Sequence, residues 1–385
     1  MAHRLTFNDA PLRVYWETTD ACDLACRHCR AEATPSADPH ELSTAEGLQL
    51  FDDLARFGDP LPHLVLTGGD PLKRDDLFVL IDAARRKGFG VSVAPSATPL
   101  LTDAAIRALH AHGVDAISLS LDGADAARHD AIRQVPGTFA RTLAAAETAR
   151  AVGLPFQVNT LVCAETVDDL PALYDRVVAL GAARWSLFFL VTVGRGDVLA
   201  PLSPERAEAV LAWVAERMAR RAMEGASGLI LTTTEAPQVR RVVAERRRLT
   251  LDAAVRPRSP TASATHGAGI RDGNGILFIS NTGQICPSGF LELPCGNVRT
   301  DDVVTVYREG VLFRALRAPE GFGGRCGRCE HQYACGGSRA PAWPATGVSL
   351  PVQALISALV QQTTHGGHLQ RVVSVQHWPA ELVRQ

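Results

Sequence analysis

The chain has 385 residues, 46% of them hydrophobic, enough for a sizeable core and without a signature of disorder. Its 39 basic and 41 acidic residues give a net charge of −2, which argues against nucleic acid held by phosphate neutralisation. The N-terminus lacks the cationic-then-apolar texture of a signal peptide, and no apolar run is long enough to span a bilayer, so the expectation is a cytoplasmic protein with no membrane association. Nine cysteines in a reducing compartment point to metal ligands, because an odd number cannot be fully paired and closely spaced thiols there seldom form disulfides.

From residue 13 to about 221 one pattern repeats. Short β-branched or apolar runs at 13–19, 63–69, 90–96, 116–123, 155–162 and 184–191 alternate with stretches of 3.6-residue periodicity. The first helical stretch carries a capping pattern, Ser43 or Thr44 followed by Glu46, and ends at Gly58; two later ones end at Gly153 and Gly181. Alternation implies parallel strands with right-handed crossovers. Six such units predict an α/β fold, a partial (β/α)6 TIM-like barrel over residues 12–222, with its active site at the C-terminal strand ends. Residues 223–275 read as a linker with a strand at 229–234, a basic helix and a Pro/Ser/Thr/Gly-rich loop at 256–275. Residues 276–340 form a small cysteine-rich domain that opens with a hairpin turning at Asn281-Thr282-Gly283. After Arg339 the texture changes abruptly, and 341–385 reads as a divergent tail, the kind of break a shifted reading frame would leave.

Directly after the first strand, Cys22, Cys26 and Cys29 form a C-x3-C-x2-C array. Thiolates so spaced fold around one metal centre while loop N–H groups turn towards it, and three ligands leave one metal position open. Zinc is the alternative, but it would want a fourth ligand, and His28 sits inside the loop where its geometry is poor.

With LTGGDP after the second strand, this array resembles the radical S-adenosylmethionine (SAM) superfamily. The resemblance implies a [4Fe–4S] cluster on the three cysteines, whose open iron chelates SAM. It also implies reductive cleavage of SAM to methionine and a 5′-deoxyadenosyl radical, which abstracts a substrate hydrogen. Gly68, Gly69 and Asp70 match the family's GGE-type stretch, with Asp in place of the commoner Glu; there the glycines would let the backbone approach the methionine ammonium. His28 takes the family's aromatic position near the adenine. By the same resemblance Ser120 and Asp122 would face SAM or substrate, and Arg133 would pair with a carboxylate. Taken alone, each of these is an ordinary loop residue: a βα turn at the glycines, a second turn at Asp122-Gly123, a surface arginine.

Downstream, Cys326, Cys329 and Cys335 stand in a C-x2-C-x5-C array with Cys286 and Cys295 upstream. This resembles the SPASM/twitch extension that binds auxiliary clusters, a zinc ribbon being the alternative. Arg339 and Asp301 occupy positions where the two-cluster version has cysteines, so the resemblance implies one auxiliary [4Fe–4S] cluster. Either Cys286 or Cys295 would complete it, or one iron would stay open; Cys163 reads as a small core residue. The stretches GILFISNTGQICPSGFLELPCGNVR, CGGSRA and TTEAPQVRR look most like radical SAM proteins of heme d1 and alternative heme biosynthesis. That implies modification of carboxylate-bearing side chains of a tetrapyrrole, with Arg240 and Arg241 as carboxylate partners and a ferredoxin or flavodoxin as electron donor. The alternatives are a SPASM-type maturase of a ribosomal peptide and a non-catalytic iron–sulfur or zinc protein.

Overall fold

The fold is that of a computed structural model, which describes residues 7–224, 228–251 and 270–340. The tail after residue 340 and most of the loop at 256–275 lie outside the described residues. The strand–helix alternation runs β1 (Arg13–Thr19), α1 (Thr44–Ala55), β2 (His63–Gly68), α2 (Leu77–Arg86), β3 (Val91–Val93), α3 (Asp103–Ala111), β4 (Ala116–Ser120), α4 (Ala126–Arg133) and α5 (Thr138–Val152). It continues with β5 (Phe156–Val162), α6 (Leu170–Leu180), β6 (Arg184–Phe189), α7 (Pro204–Glu224), β7 (Ile230–Thr234) and α8 (Val239–Leu251). The C-terminal part adds β8 (Ile276–Ile279), β9 (Gln284–Cys286), β10 (Gly296–Asn297), α9 (Val303–Glu309), α10 (Val311–Arg317) and α11 (Gly324–Gly327).

Local chemistry sets the helix ends. Ser43 is the N-cap of α1: its hydroxyl accepts from the Glu46 N–H while the Glu46 carboxylate accepts from the Ser43 N–H at 2.7 Å. Gly181 closes α6 in a left-handed conformation (φ 80°), which lets its N–H reach back to the carbonyls of the last turn.

One ten-stranded sheet runs in the order β10-β9-β8-β1-β2-β3-β4-β5-β6-β7. The six expected parallel strands gain a neighbour at each side. β7, which falls in the stretch read as a linker, pairs parallel with β6 from Arg184↔Ile230 to Phe188↔Thr234. β8 pairs parallel with β1, starting at Arg13↔Ile276, so the C-terminal hairpin continues the barrel's own sheet. Among the described residues no helix is long and apolar enough to cross a membrane.

The period-2 alternation of the strands gives the sheet two different faces. Val14, Trp16, Leu64, Leu66, Ile117, Leu119, Trp185 and Leu187 are at most 1% exposed and pack outward against the helices. The intervening positions, such as Arg13, Tyr15, His63, Ser118, Gln157 and Arg184, are half-buried and face the lumen. A closed eight-fold barrel fills that space with branched apolar side chains. Here polar side chains take many of the inward positions instead.

Candidate active site

The loop after β1 presents Cys22, Cys26 and Cys29 at the C-terminal ends of the parallel strands, where α/β sheets place ligands. Its backbone is tied down on several sides. The Cys22 N–H donates to the Thr34 carbonyl at 2.7 Å and the Arg27 N–H to Ile132 at 2.9 Å, while Arg195 donates through Nε to the Cys26 carbonyl at 3.0 Å. Cys22 and Cys26 are buried beside Leu24 and Ala33, with Cys29 packed against them. The Leu24 N–H points at the Cys22 sulfur from 3.4 Å and the Arg133 guanidinium at the Cys26 sulfur from 3.7 Å. Burial pushes both thiols up, with Ser96 and Leu24 opposing it at Cys22 and Arg133 at Cys26. Three thiols in one apolar loop, with N–H and guanidinium donors aimed at sulfur, could serve an iron–sulfur cluster, whose positive metal would draw the thiols into the thiolate form. Among the described residues no three His, Cys, Asp or Glu side chains come close enough together to hold a single metal ion.

The Gly-Gly-Asp turn fastens this loop to β2. A Cβ on Gly68 would lie 2.1 Å from the Thr19 carbonyl oxygen and one on Gly69 would lie 2.3 Å from that of Ala21. The glycines are therefore required by the approach of the chain segment that leads into the cysteines. The Asp70 carboxylate is engaged within the protein. It is wholly buried, accepting from Leu72 N–H, Ser96 N–H and, at 2.6 Å, the Thr98 hydroxyl. In the fold it holds the end of β3 against the turn.

Asp122 and Arg133 are similarly engaged with each other. One Asp122 oxygen lies 2.5 Å from the Arg133 guanidinium and the other accepts from the Leu161 N–H at 2.7 Å. Burial alone would raise the Asp122 carboxyl, but Arg133, His28, His129 and that N–H outweigh it and hold it below the ordinary range. Arg133 thus bridges the end of β4 to Cys26, and its charge is already matched inside the protein. Ser120 lies on the lumen face, its carbonyl held by the Thr142 hydroxyl. His28 is half-buried, with an Nδ1 that has no hydrogen-bond partner among the described residues. Burial and the cation of Arg133 bring its pKa down to about 4, so it is neutral near pH 7. His129, which sequence reasoning passed over, accepts the Asp122 N–H on Nδ1 at 3.0 Å and so carries its proton on Nε2. A cavity of about 280 Å³ opens at the mouth between the cysteine loop and residues 289–293, lined by Arg30, Val193, Phe290 and Glu292 among others.

The five downstream cysteines fall into two groups. Cys326, Cys329 and Cys335 feel one another, the Cys329 N–H donating to the Cys326 carbonyl at 3.2 Å. Cys286 and Cys295 lie together instead, at the barrel mouth, where the charged neighbours of Cys286 are Glu292, Arg30 and Glu17. The β9 register and the Cys295 N–H bond to Ile285 hold both of them to the hairpin. Arg339 donates to the Cys326 sulfur at 3.1 Å, and Asp301 caps a turn by accepting the Asn297 N–H. Arg240 and Arg241, the carboxylate partners suggested by the sequence, are also committed. Arg240 donates to the carbonyls of Ala334 and Ile270, and Arg241 pairs with Glu208 and Glu245. Cys163 is fully buried, near Ile132, Leu161 and Leu199, as a core residue would be.

The family profile described as the radical SAM superfamily matches residues 16–177, which span β1 through most of α6 and include the three loop cysteines. The AdoMet-dependent heme synthase of Methanosarcina barkeri is 36% identical over 348 residues, covering 89% of this chain and 95% of that protein. The chain belongs to the radical SAM superfamily. The AdoMet-dependent heme synthase of Nitratidesulfovibrio vulgaris is likewise 36% identical, over 89% of this chain and 91% of its own length. Among solved structures, native anSMEcpe with bound AdoMet superimposes with a TM-score of 0.64 over 92% of this chain and 97% of that one, at 15% identity. That likeness speaks for the fold. A radical SAM enzyme uses a [4Fe–4S] cluster and SAM; when bound, they supply an electron and a sulfonium whose cleavage gives methionine and a 5′-deoxyadenosyl radical.

Proposed function

We propose that Cys22, Cys26 and Cys29 hold the SAM-cleaving cluster and that the radical acts on a carboxylate-bearing side chain of a tetrapyrrole. The observation that carries the substrate is the similarity to two proteins named AdoMet-dependent heme synthase, which extends across 89% of the chain and so includes the cysteine-rich C-terminal part. The protein's own residues supply the setting. Gly68 and Gly69 bring the cysteine loop onto β2, Arg133 keeps a cation beside Cys26, and neutral His28 lies next to that pair. The cavity at the mouth and the polar inward-facing side chains below it offer hydrogen bonds for a substrate with charged edges.

The division into a SAM-cleaving unit over 12–222, a linker over 223–275 and an auxiliary unit over 276–340 is part of the same proposal. So is a second [4Fe–4S] cluster on Cys326, Cys329 and Cys335. Cys286 and Cys295 are held to the hairpin, which favours three cysteine ligands for that cluster. A cytoplasmic ferredoxin or flavodoxin serves as electron donor.

The test is anaerobic reconstitution with iron and sulfide, reduction, and addition of SAM. The chain forms 5′-deoxyadenosine above a Cys26→Ala control, and coproporphyrin III increases its yield and is itself altered in mass. Iron content of about eight per chain marks two clusters and about four marks one. Absence of SAM cleavage would overturn the assignment of the three cysteines. Stimulation by a ribosomal peptide but by no porphyrin would overturn the substrate.

A further inference from the structure

The sulfurs of Cys326, Cys329 and Cys335 accept hydrogen bonds from their own stretch of chain. The His331 N–H donates to the Cys329 sulfur and the Gly337 N–H to the Cys335 sulfur, both at 3.4 Å. These are backbone donors of the kind that loops around iron–sulfur clusters present, and they fit such a group. The Cys326 sulfur is served by a side chain instead. Arg339 Nη2 donates to it at 3.1 Å.

That guanidinium is fixed in place. The same Nη2 donates to the Gly336 carbonyl at 2.7 Å, and the Phe322 ring lies against the guanidinium, 4.5 Å from ring centroid to carbon. Arg339 is 4% exposed and Phe322 5%, so little water screens the contact with sulfur. The turn that leads to Arg339 is shaped to admit it. Gly336 and Gly337 are both left-handed, at φ 69° and 66°. A Cβ on Gly337 would lie 2.4 Å from Arg339 Nη2 and 3.1 Å from Cys326 Sγ; one on Gly336 would lie 2.5 Å from Arg271 Nε. The run Cys335-Gly336-Gly337-Ser338-Arg339 therefore omits side chains where the guanidinium must reach a cysteine sulfur. Arg240 adds a further cation to this turn, donating to the Ala334 carbonyl beside Cys335 at 3.2 Å.

We propose that Arg339 is a positioning residue of the auxiliary cluster, whose guanidinium donates to the Cys326 sulfur and raises the reduction potential of the group that Cys326 holds. The inference rests on the reading of Cys326, Cys329 and Cys335 as ligands of a second [4Fe–4S] cluster. One-electron reduction adds negative charge to iron and to the ligand sulfurs, so a fixed cation with an N–H aimed at sulfur favours the reduced form. The effect is strong where water is kept out, because a charge is felt further in a medium of low dielectric constant. In the two-cluster pattern a cysteine stands at position 339 as a ligand. Here that position serves the neighbouring cluster from outside, by a donor to sulfur and not by a bond to iron.

The test isolates the auxiliary cluster in the full-length chain by changing Cys22, Cys26 and Cys29 together to Ala. This parent is reconstituted anaerobically and titrated with dithionite at controlled potential, the reduced cluster being followed by electron paramagnetic resonance. It holds about four irons. Adding Arg339→Gln shifts the reduction equilibrium about tenfold towards the oxidised form, a potential lower by about 59 mV for one electron, at unchanged iron content and circular dichroism. Arg339→Lys keeps a cation without the planar fork and recovers part of that shift. Gly337→Ala retains the arginine but drives its Nη2 off the sulfur, so it lowers the potential in the same sense and reads the contact should the glutamine variant fail to fold. A folded Arg339→Gln chain, or in its place Gly337→Ala, with the potential of the parent overturns the role of Arg339 and leaves the auxiliary cluster standing. A lysine variant as low as the glutamine one overturns the electrostatic origin of the effect. A parent that holds no iron overturns the cluster and the inference together.

Discussion

Arg133 shows how a single residue can be decisive without touching substrate. Its guanidinium lies 2.5 Å from Asp122 and 3.7 Å from the Cys26 sulfur, with side-chain exposures of 12% and 1% for the arginine and the aspartate. Removing one partner of a buried pair leaves the other charge stranded, which costs about 3–5 kcal/mol, whereas removing both costs much less. Arg133→Gln is therefore expected to lower stability by about that amount, and adding Asp122→Asn to restore most of it. Urea denaturation of the single and double variants measures the difference. A double variant no more stable than Arg133→Gln alone would mean that the two charges are not coupled. Arg133 also steadies the cysteine loop, so its loss should reduce iron retention at the N-terminal cluster about 10–100-fold, in the manner of other residues that orient metal ligands.

At the scale of elements, α1 and β1 meet at Gly47. A Cβ there would lie 2.6 Å from the Trp16 ring and 2.9 Å from Leu80, both buried. On an exposed helix Gly→Ala gains about 1 kcal/mol. Here overpacking against a ring that has nowhere to move costs about 1–3 kcal/mol, so Gly47→Ala should be destabilising in urea, and a stabilised variant would show a looser contact. What the sequence revealed about these elements follows from distance along the chain. The Ser43–Glu46 cap, the glycine that ends α6 and the three-cysteine array are local features, and each was legible. The union of β8 with β1 joins residues 13 and 276, and no local pattern announces it. The partners of Asp70, Ser96 and Thr98, come from the next βα unit and were not legible beside it. Arg240 and Arg241 looked available because Ala334 and Glu208, which occupy them, are remote in sequence.

For the whole molecule, the question is how the C-terminal part is held to the barrel. Strand pairing of β8 with β1 is one tie; Arg299 to Glu46 at 2.6 Å and Arg56 to Asp302 at 2.8 Å are others. A further tie depends on protonation. Glu235, just after β7 in a left-handed conformation (φ 59°), accepts a hydrogen bond from the Ser338 hydroxyl. Burial, and then the nearby Asp272, raise its pKa well above 4.5. Asp272 is itself buried, held by Ser288, by the N–H groups of Arg339 and Ala340 and by the charge of Arg339. The folded state therefore keeps a proton on Glu235 that the unfolded chain releases above pH 4.5. The stability linked to that proton is complete below the unfolded value and is lost as pH rises through the folded one. Glu235→Gln keeps an acceptor for Ser338 and has no proton to lose. Melting temperatures measured from about pH 5 to about pH 9 should thus fall more steeply for the wild type than for the variant. Parallel slopes would show that the proton is held elsewhere, and that the junction between β7 and the cysteine-rich segment is indifferent to pH.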